Sequence, residues 1–179
     1  LQPGTCYTAT SDGDKVSLVK IEVITMPGNG KLTVTGSSST EAKEDIKNTY
    51  NYIRANERAI LSQKHSLIHL DVTVQVTVLL GVGVHKGIAG AVFAAIVSSV
   101  FGRNLKSGLG VIGNISIGGA IERALNFNDR VSMLSENSAK NVLLPRDNPA
   151  EMATLPATIR GKTDIPYYAN TQMLLQKMI

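Results

Sequence analysis

The sequence predicts a domain that mixes helices with sheet, α/β or α+β, and three observations carry that prediction. First, Leu70, Val72, Val74, Val76 and Val78 alternate with Asp71, Thr73, Gln75 and Thr77. Strict period two over such a run is the signature of a half-buried strand. Second, a loop holding Gly81, Gly83 and Gly87 leads into residues 88–101, which are apolar nearly all round and rich in Ala. A helix of that composition is buried on most sides. Third, a strand-like stretch at 108–117, a helix-like one at 127–137 and a short apolar strand at 141–145 follow in alternation.

The remaining elements are read in chain order. Residues 16–23 are rich in β-branched side chains and precede the turn signal Pro27-Gly28-Asn29-Gly30; residues 31–35 then alternate. The two segments predict a hairpin with a four- or five-residue connection. A loop, Gly36-Ser37-Ser38-Ser39-Thr40, comes next, and Ser38 with Glu41 has the spacing of a capping box. Ala42, Ile46, Tyr50 and Ile53 mark one face of the helix that should follow. Gly118-Gly119 stops the strand at 108–117, and the stretch up to Pro166 reads as irregular. Asn170 is placed to cap a last helix ending at Met178. No internal repeat or low-complexity segment interrupts the series.

Composition narrows the function classes. A chain of 179 residues suits one domain and is long enough to bury a core. Charged residues make up 18%, below the usual quarter, which argues against a disordered or coiled-coil chain. Aromatics are only 4% with no Trp, a poor basis for stacking single-stranded nucleic acid. The formal net charge of +4 is spread without any Lys/Arg run, so it supports no more than weak attraction to acidic partners. The lone cysteine, Cys6, cannot make an internal disulfide or a cysteine-based zinc site, which fits a cytoplasmic location. The start, Leu1-Gln2-Pro3-Gly4, has no basic n-region and no initiator Met, so the expectation is a piece of a longer chain without a signal peptide. The apolar run at 87–102 is about four residues short of the ~20 that span a bilayer, so no membrane partner is expected.

Familiar catalytic motifs fit poorly. Gly81-x-Gly83-x-x-x-Gly87 stands between strand and helix, where dinucleotide-binding proteins place G-x-G-x-x-G, but it is one residue too long and no acid-ended strand follows to hold a ribose. No Gly-Lys-Ser/Thr is present for a phosphate loop. His65 and His69 have i, i+4 spacing without the glutamate of a zinc peptidase, and His85 stands apart. There is no G-x-S-x-G elbow. A Ser–Lys dyad needs a serine at a strand–helix junction and a desolvated lysine. The junction here reads His85-Lys86-Gly87-Ile88-Ala89-Gly90 and has no hydroxyl.

Three blocks nevertheless resemble the proteolytic domain of Lon proteases. Ala89-Gly90 opening a small-residue helix is similar to the Lon G-P-S-A-G segment, and Gly113-Asn-Ile-Ser-Ile-Gly-Gly119 to the G-E-I-S-L-x-G strand. Ala139-Lys-Asn-Val-Leu-Leu-Pro145 is similar to the strand ending V-L-L-P, and the 33 residues from Gly113 through Pro145 keep the family spacing without a gap. A narrower resemblance, over almost the whole chain, is to the Lon-like proteins of BREX phage-defence systems: Pro3-Gly-Thr-Cys-Tyr-Thr8, Gly30-Lys-Leu-x-Val-x-Gly36, the stretch 52–56 and Tyr167-Tyr-Ala-Asn170 carry it. The resemblance implies an α+β domain of the Lon proteolytic type, like domain 2 of ribosomal protein S5, with mixed sheets and packed helices, forming a single unit over 1–179. It also implies an upstream ATPase of the AAA+ class, which would hold the ATP and Mg, none being expected on this domain. A hexameric ring, protein substrates or partners, and DNA contact through the full-length protein belong to the same implication.

The dyad positions depart from the family. Family spacing puts the nucleophile on Gly87, or on Ile88 if Ala89-Gly90 is aligned, and the lysine 15 residues after Gly113, on Asn128. None of these can attack a carbonyl or act as an amine base. Lys86 and Lys140 are the substitute amines in sequence, and Ser98 and Ser99 the substitute hydroxyls, although about three helical turns, roughly 15 Å, separate those serines from the loop. The expectation is a Lon-type domain with a degenerate dyad that serves assembly or partner binding. The alternatives are a working serine peptidase with an unplaced Ser–Lys pair and a non-proteolytic scaffold like the Lon-fold module of the DNA-repair ATPase RadA.

Overall fold

A computed structural model describes residues 2–36, 39–146 and 153–179. The fold begins with a hairpin, β1 (Thr5–Asp12) and β2 (Lys15–Pro27), paired from Thr5↔Glu22 to Asp12↔Lys15 around the two-residue turn Gly13-Asp14. The other edge of β2 pairs antiparallel with β4 (Leu70–Leu80), the strand that period two predicts. β3 (Leu32–Gly36) joins the far side of β4 in parallel register, Leu32↔Val72 to Gly36↔Val76. This corrects the hairpin expected between 16–23 and 31–35. β2 already has both edges filled, and the turn between β2 and β3 is closed by Asp71 Oδ1, which accepts the amides of Asn29 and Lys31 at 3.0 Å each.

β5 (Leu109–Val111), β8 (Asn141–Pro145) and β9 (Tyr167–Tyr168) extend the sheet to the order β3-β4-β2-β1-β5-β8-β9. β1 and β5, β5 and β8, and β8 and β9 are all parallel, so β2 alone runs against the other six. The strand expected over 108–117 is broken. After Ile112 donates to Leu143 O, Gly113 turns at φ +123°, and β6 (Asn114–Ile115) leaves the sheet to pair with β7 (Ile121–Glu122).

Helices cover both faces. On one, α1 (Thr40–Ala55) and α3 (Ala89–Phe101) pack with α6 (Thr171–Met178) over Ile21, Val23, Val74 and Val76. On the other, α4 (Phe127–Glu136) and α5 (Ala157–Lys162) cover Ala9, Leu18, Val142 and Leu144. A short helix, α2 (Glu57–Ile60), and a 3-10 turn, Leu67–His69, connect α1 to β4. α1 buries Ala42, Ile46, Tyr50 and Ile53 as its periodicity predicts. Its cap is Ser39, accepting from Ala42 N at 3.1 Å; Ser38 lies outside the described residues. α3 is buried along nearly its whole length because it is wedged between sheet and α1. Asn170 Oδ1 caps α6 by accepting from Met173 N at 2.8 Å. α5 corrects the expectation of irregular structure up to Pro166: Pro156, with φ −56°, presets the start of a helix that buries Ile159. Among the described residues no helix is long and apolar enough to cross a membrane.

Candidate functional site

The shared direction of six strands brings their carboxyl ends to one rim of the sheet, the usual place for a crevice in such folds. There the loop from β4 to α3, the β5–β6 turn and the entry to α4 enclose a cleft of about 180 Å³. Ser11 at the end of β1, Lys86, Gly87, Asn114, Glu122 and Arg130 are among its lining residues.

Gly87 is held at both of its polar groups. Its amide donates to Asp45 Oδ2 on α1 at 2.6 Å, and Ile88 N donates to the same oxygen at 3.3 Å. Its carbonyl accepts from Arg130 Nη2 at 3.2 Å. Gly87 has φ +97°, a conformation L side chains rarely adopt, so the loop requires glycine here. The next two amides are also matched: Ala89 N donates to Asn114 Oδ1 at 3.3 Å and Gly90 N to Gly113 O at 3.1 Å. The amino end of α3 therefore has its opening donors satisfied from within the protein.

Arg130 is the side chain that organises the floor. It is 5% exposed, and it sits on the apolar stripe of α4 with Phe127, Val131 and Leu134. Its Nε donates to Ala9 O at 2.7 Å and Nη1 to Leu125 O at 3.3 Å, in addition to the bond to Gly87. Burial pushes its pKa down to about 10, which leaves it cationic at neutral pH. Burial also raises the Asp45 carboxyl above its ordinary value, more than the Gly87 and Ile88 amides lower it; Glu122 and Glu44 add to the rise.

The positions expected from sequence fall as follows. Gly87 and Lys86 line the cleft, Lys86 as an exposed rim residue, and Ile88 is buried behind the loop. Asn128 does not line it. Its Nδ2 donates to Thr154 Oγ1 at 2.6 Å, while its buried Oδ1 has no partner among the described residues. Lys140 lies beside Gly108, where β5 and β8 begin, at the opposite rim of the sheet. Ser98 and Ser99 secure the far end of α3: Ser98 Oγ accepts from Gly4 N and donates to Arg103 O, and Ser99 Oγ pairs with Thr25 Oγ1. His65 packs edge-on against Phe101 at 5.3 Å, and His69 ends the 3-10 turn before β4. Among the described residues no group of three His, Cys, Asp or Glu side chains could hold a metal. No serine hydroxyl there is hydrogen-bonded to a lysine amine either.

Asp45 and Arg130 are the site residues that sequence reasoning missed. Asp45 has no local signature, since its partners are 42 and 43 residues away. Arg130 does leave a trace, a lone cation at the i+3 position of the stripe begun by Phe127.

A family model, the Lon protease (S16) C-terminal proteolytic domain, matches residues 3–179. Among curated proteins, the Lon-like protease BrxL of Bacillus cereus (strain H3081.97) is 28% identical over 96% of this chain and 25% of its own length. Lon protease 2 of Desulfotalea psychrophila is 26% identical over 90% of this chain and 21% of its own. The BrxL of Escherichia coli O9:H4 (strain HS) is 25% identical over 94% and 24% respectively. The chain thus spans about a quarter of the length of these relatives. With a mixed sheet between helical layers and a family match running from its third residue to its last, the chain belongs to the Lon protease (S16) C-terminal proteolytic domain family.

Proposed function

We propose that this Lon-type proteolytic domain has lost its Ser–Lys dyad and binds polypeptide, or assembles with other subunits, without cutting. The observation that carries the reading is the state of the loop before α3. The nucleophile position is a glycine at φ +97°, and an internal carboxylate occupies the two amides that flank it. Acyl transfer needs such amides open to the developing oxyanion. At the lysine position, Asn128 turns to Thr154. In this reading the domain belongs to an ATP-driven cytoplasmic protein about four times its length, whose ATPase part holds ATP and Mg and assembles as a ring.

A working peptidase has one observation in its favour: Ser11 and Lys86 line the same cleft. Against it, Lys86 is exposed, and a Ser–Lys pair works only with its amine withdrawn from water. The test is hydrolysis of casein and of fluorogenic peptides by the 179-residue chain. No turnover is expected, and none from Gly87→Ser/Asn128→Lys, because the strained backbone and the Asp45 carboxylate remain. Cleavage that Ser11→Ala or Lys86→Ala abolishes would overturn the reading.

A further inference from the structure

Arg130 is a nearly inaccessible cation that makes no ion pair among the described residues, where the single pair is Lys20–Glu22. A buried charge without a counter-charge is uncommon and calls for an explanation. Its five N–H donors are only partly used. Nε is committed to Ala9 O, and each terminal nitrogen spends one hydrogen on a carbonyl, Leu125 O or Gly87 O. One N–H on Nη1 and one on Nη2 have no partner among the described residues.

Among the described residues, Arg130 faces the cleft. Among the described residues, beyond its chain neighbours, a methyl placed on Gly87 would meet within 4 Å only Arg130 Nη2, at 3.6 Å, and Nη1, at 4.0 Å. The guanidinium thus forms the floor of the cleft, with Lys86 and Arg123 also lining it and Glu122 as the acid among its described lining residues. Glu122 is engaged with Asn114, whose Nδ2 donates to its Oε2 at 3.2 Å. The helix end is not the attracting feature, because its opening amides are already matched by Asp45, Asn114 and Gly113.

We propose that the cleft receives a carboxylate of a bound polypeptide, held by the two remaining terminal N–H groups of Arg130 and by Lys86 at the rim. The inference rests on the reading that polypeptide enters this cleft uncut. A carboxylate fits better than the phosphodiester of a nucleic acid, because the basic residues of the chain form no run that could follow a nucleic-acid backbone.

The carboxylate has two possible sources, a chain end or an acidic side chain, and three fluorescent peptides without other acids separate them. One has a free C-terminus, one is the same peptide amidated, and one is amidated with a single internal Glu. Binding is followed by polarisation, and each mixture is then checked by mass spectrometry. The free-ended peptide or the Glu peptide is expected to bind at least about tenfold tighter than the neutral amidated one. Lys86→Glu, an exposed substitution, is expected to weaken that excess about fivefold. Arg130→Lys, which keeps the charge but not the fork, should weaken it further; if that variant fails to fold, Lys86→Glu decides. Equal binding of all three peptides, binding of none, or tighter binding of a fluorescent single-stranded oligonucleotide added as a fourth probe overturns the inference while leaving uncut peptides consistent with the proposed function. Peptide fragments in the mass spectra would instead overturn the proposed function.

Discussion

Asp45 performs two tasks with one atom, since Oδ2 accepts from both Gly87 N and Ile88 N. An asparagine oxygen can do the same, whereas alanine leaves two amides orphaned. Asp45→Ala is therefore expected to destabilise the fold by about 2 kcal/mol and Asp45→Asn by less than about 1. The direction of the pKa shift adds a pH dependence. A carboxyl whose folded value is raised binds its proton more tightly in the folded state. Its contribution to stability is thus greatest below the unfolded value, near 4, and is lost as pH rises through the folded value. Urea midpoints measured from pH 3.5 to 7 should show Asp45→Asn gaining on the parent chain as pH rises. A constant difference across that range would mean that Asp45 does not titrate as described.

At the scale of elements, legibility in the sequence follows from how local the cause is. The strand at 70–80 and helices at 40–55 and 89–101 carry their burial pattern in their own periodicity, and both the alternating valines and the apolar small-residue run read true. Strand partnership is different. Nothing in residues 16–35 reveals that β4, more than forty residues beyond the end of β2, takes the edge of β2 that a hairpin would use. The loop, Gly113–Gly119 and 139–145 blocks were legible because each is a contiguous motif; Asp45 and Arg130 reach the site only through the tertiary fold. The break at Gly113 shows the same limit. The run 108–117 looks like one strand, but a Cβ at Gly113 would lie 2.2 Å from Tyr168 Oη and 2.7 Å from Pro145 Cγ. Tyr168 is fully buried and donates to Ile112 O at 2.7 Å, so it cannot move aside. Gly113→Ala therefore meets both a clash and a φ of +123° and is expected to cost about 3 kcal/mol or more. Gly118→Ala, whose Cβ would meet only Ser116 Oγ, at 3.9 Å, among the described residues, is the control and should change the thermal midpoint little.

For the whole molecule, the loop before α3 is where the two helical layers meet. Asp45 comes from α1 on one face of the sheet and Arg130 from α4 on the other, and each holds one end of Gly87, amide and carbonyl. A carboxyl on the N–H and a guanidinium on the C=O enclose one residue, so the packing of each layer helps to fix the same loop. This arrangement predicts energetic coupling between side chains that have no hydrogen bond to each other. In a double-mutant cycle with Asp45→Asn and Arg130→Lys, unfolding free energies should depart from additivity by about 1 kcal/mol, against the 0.3–0.5 that separates independent sites. Hydrogen exchange gives a second readout. Arg130→Lys should speed exchange of the Gly87 and Ile88 amides, which bond to Asp45 and not to residue 130, while the middle of α3 stays protected. Additive energies together with unchanged exchange at those two amides would show that the layers hold the loop independently. Coupling would identify Gly87 as the joint through which a ligand in the cleft is felt on both faces of the sheet.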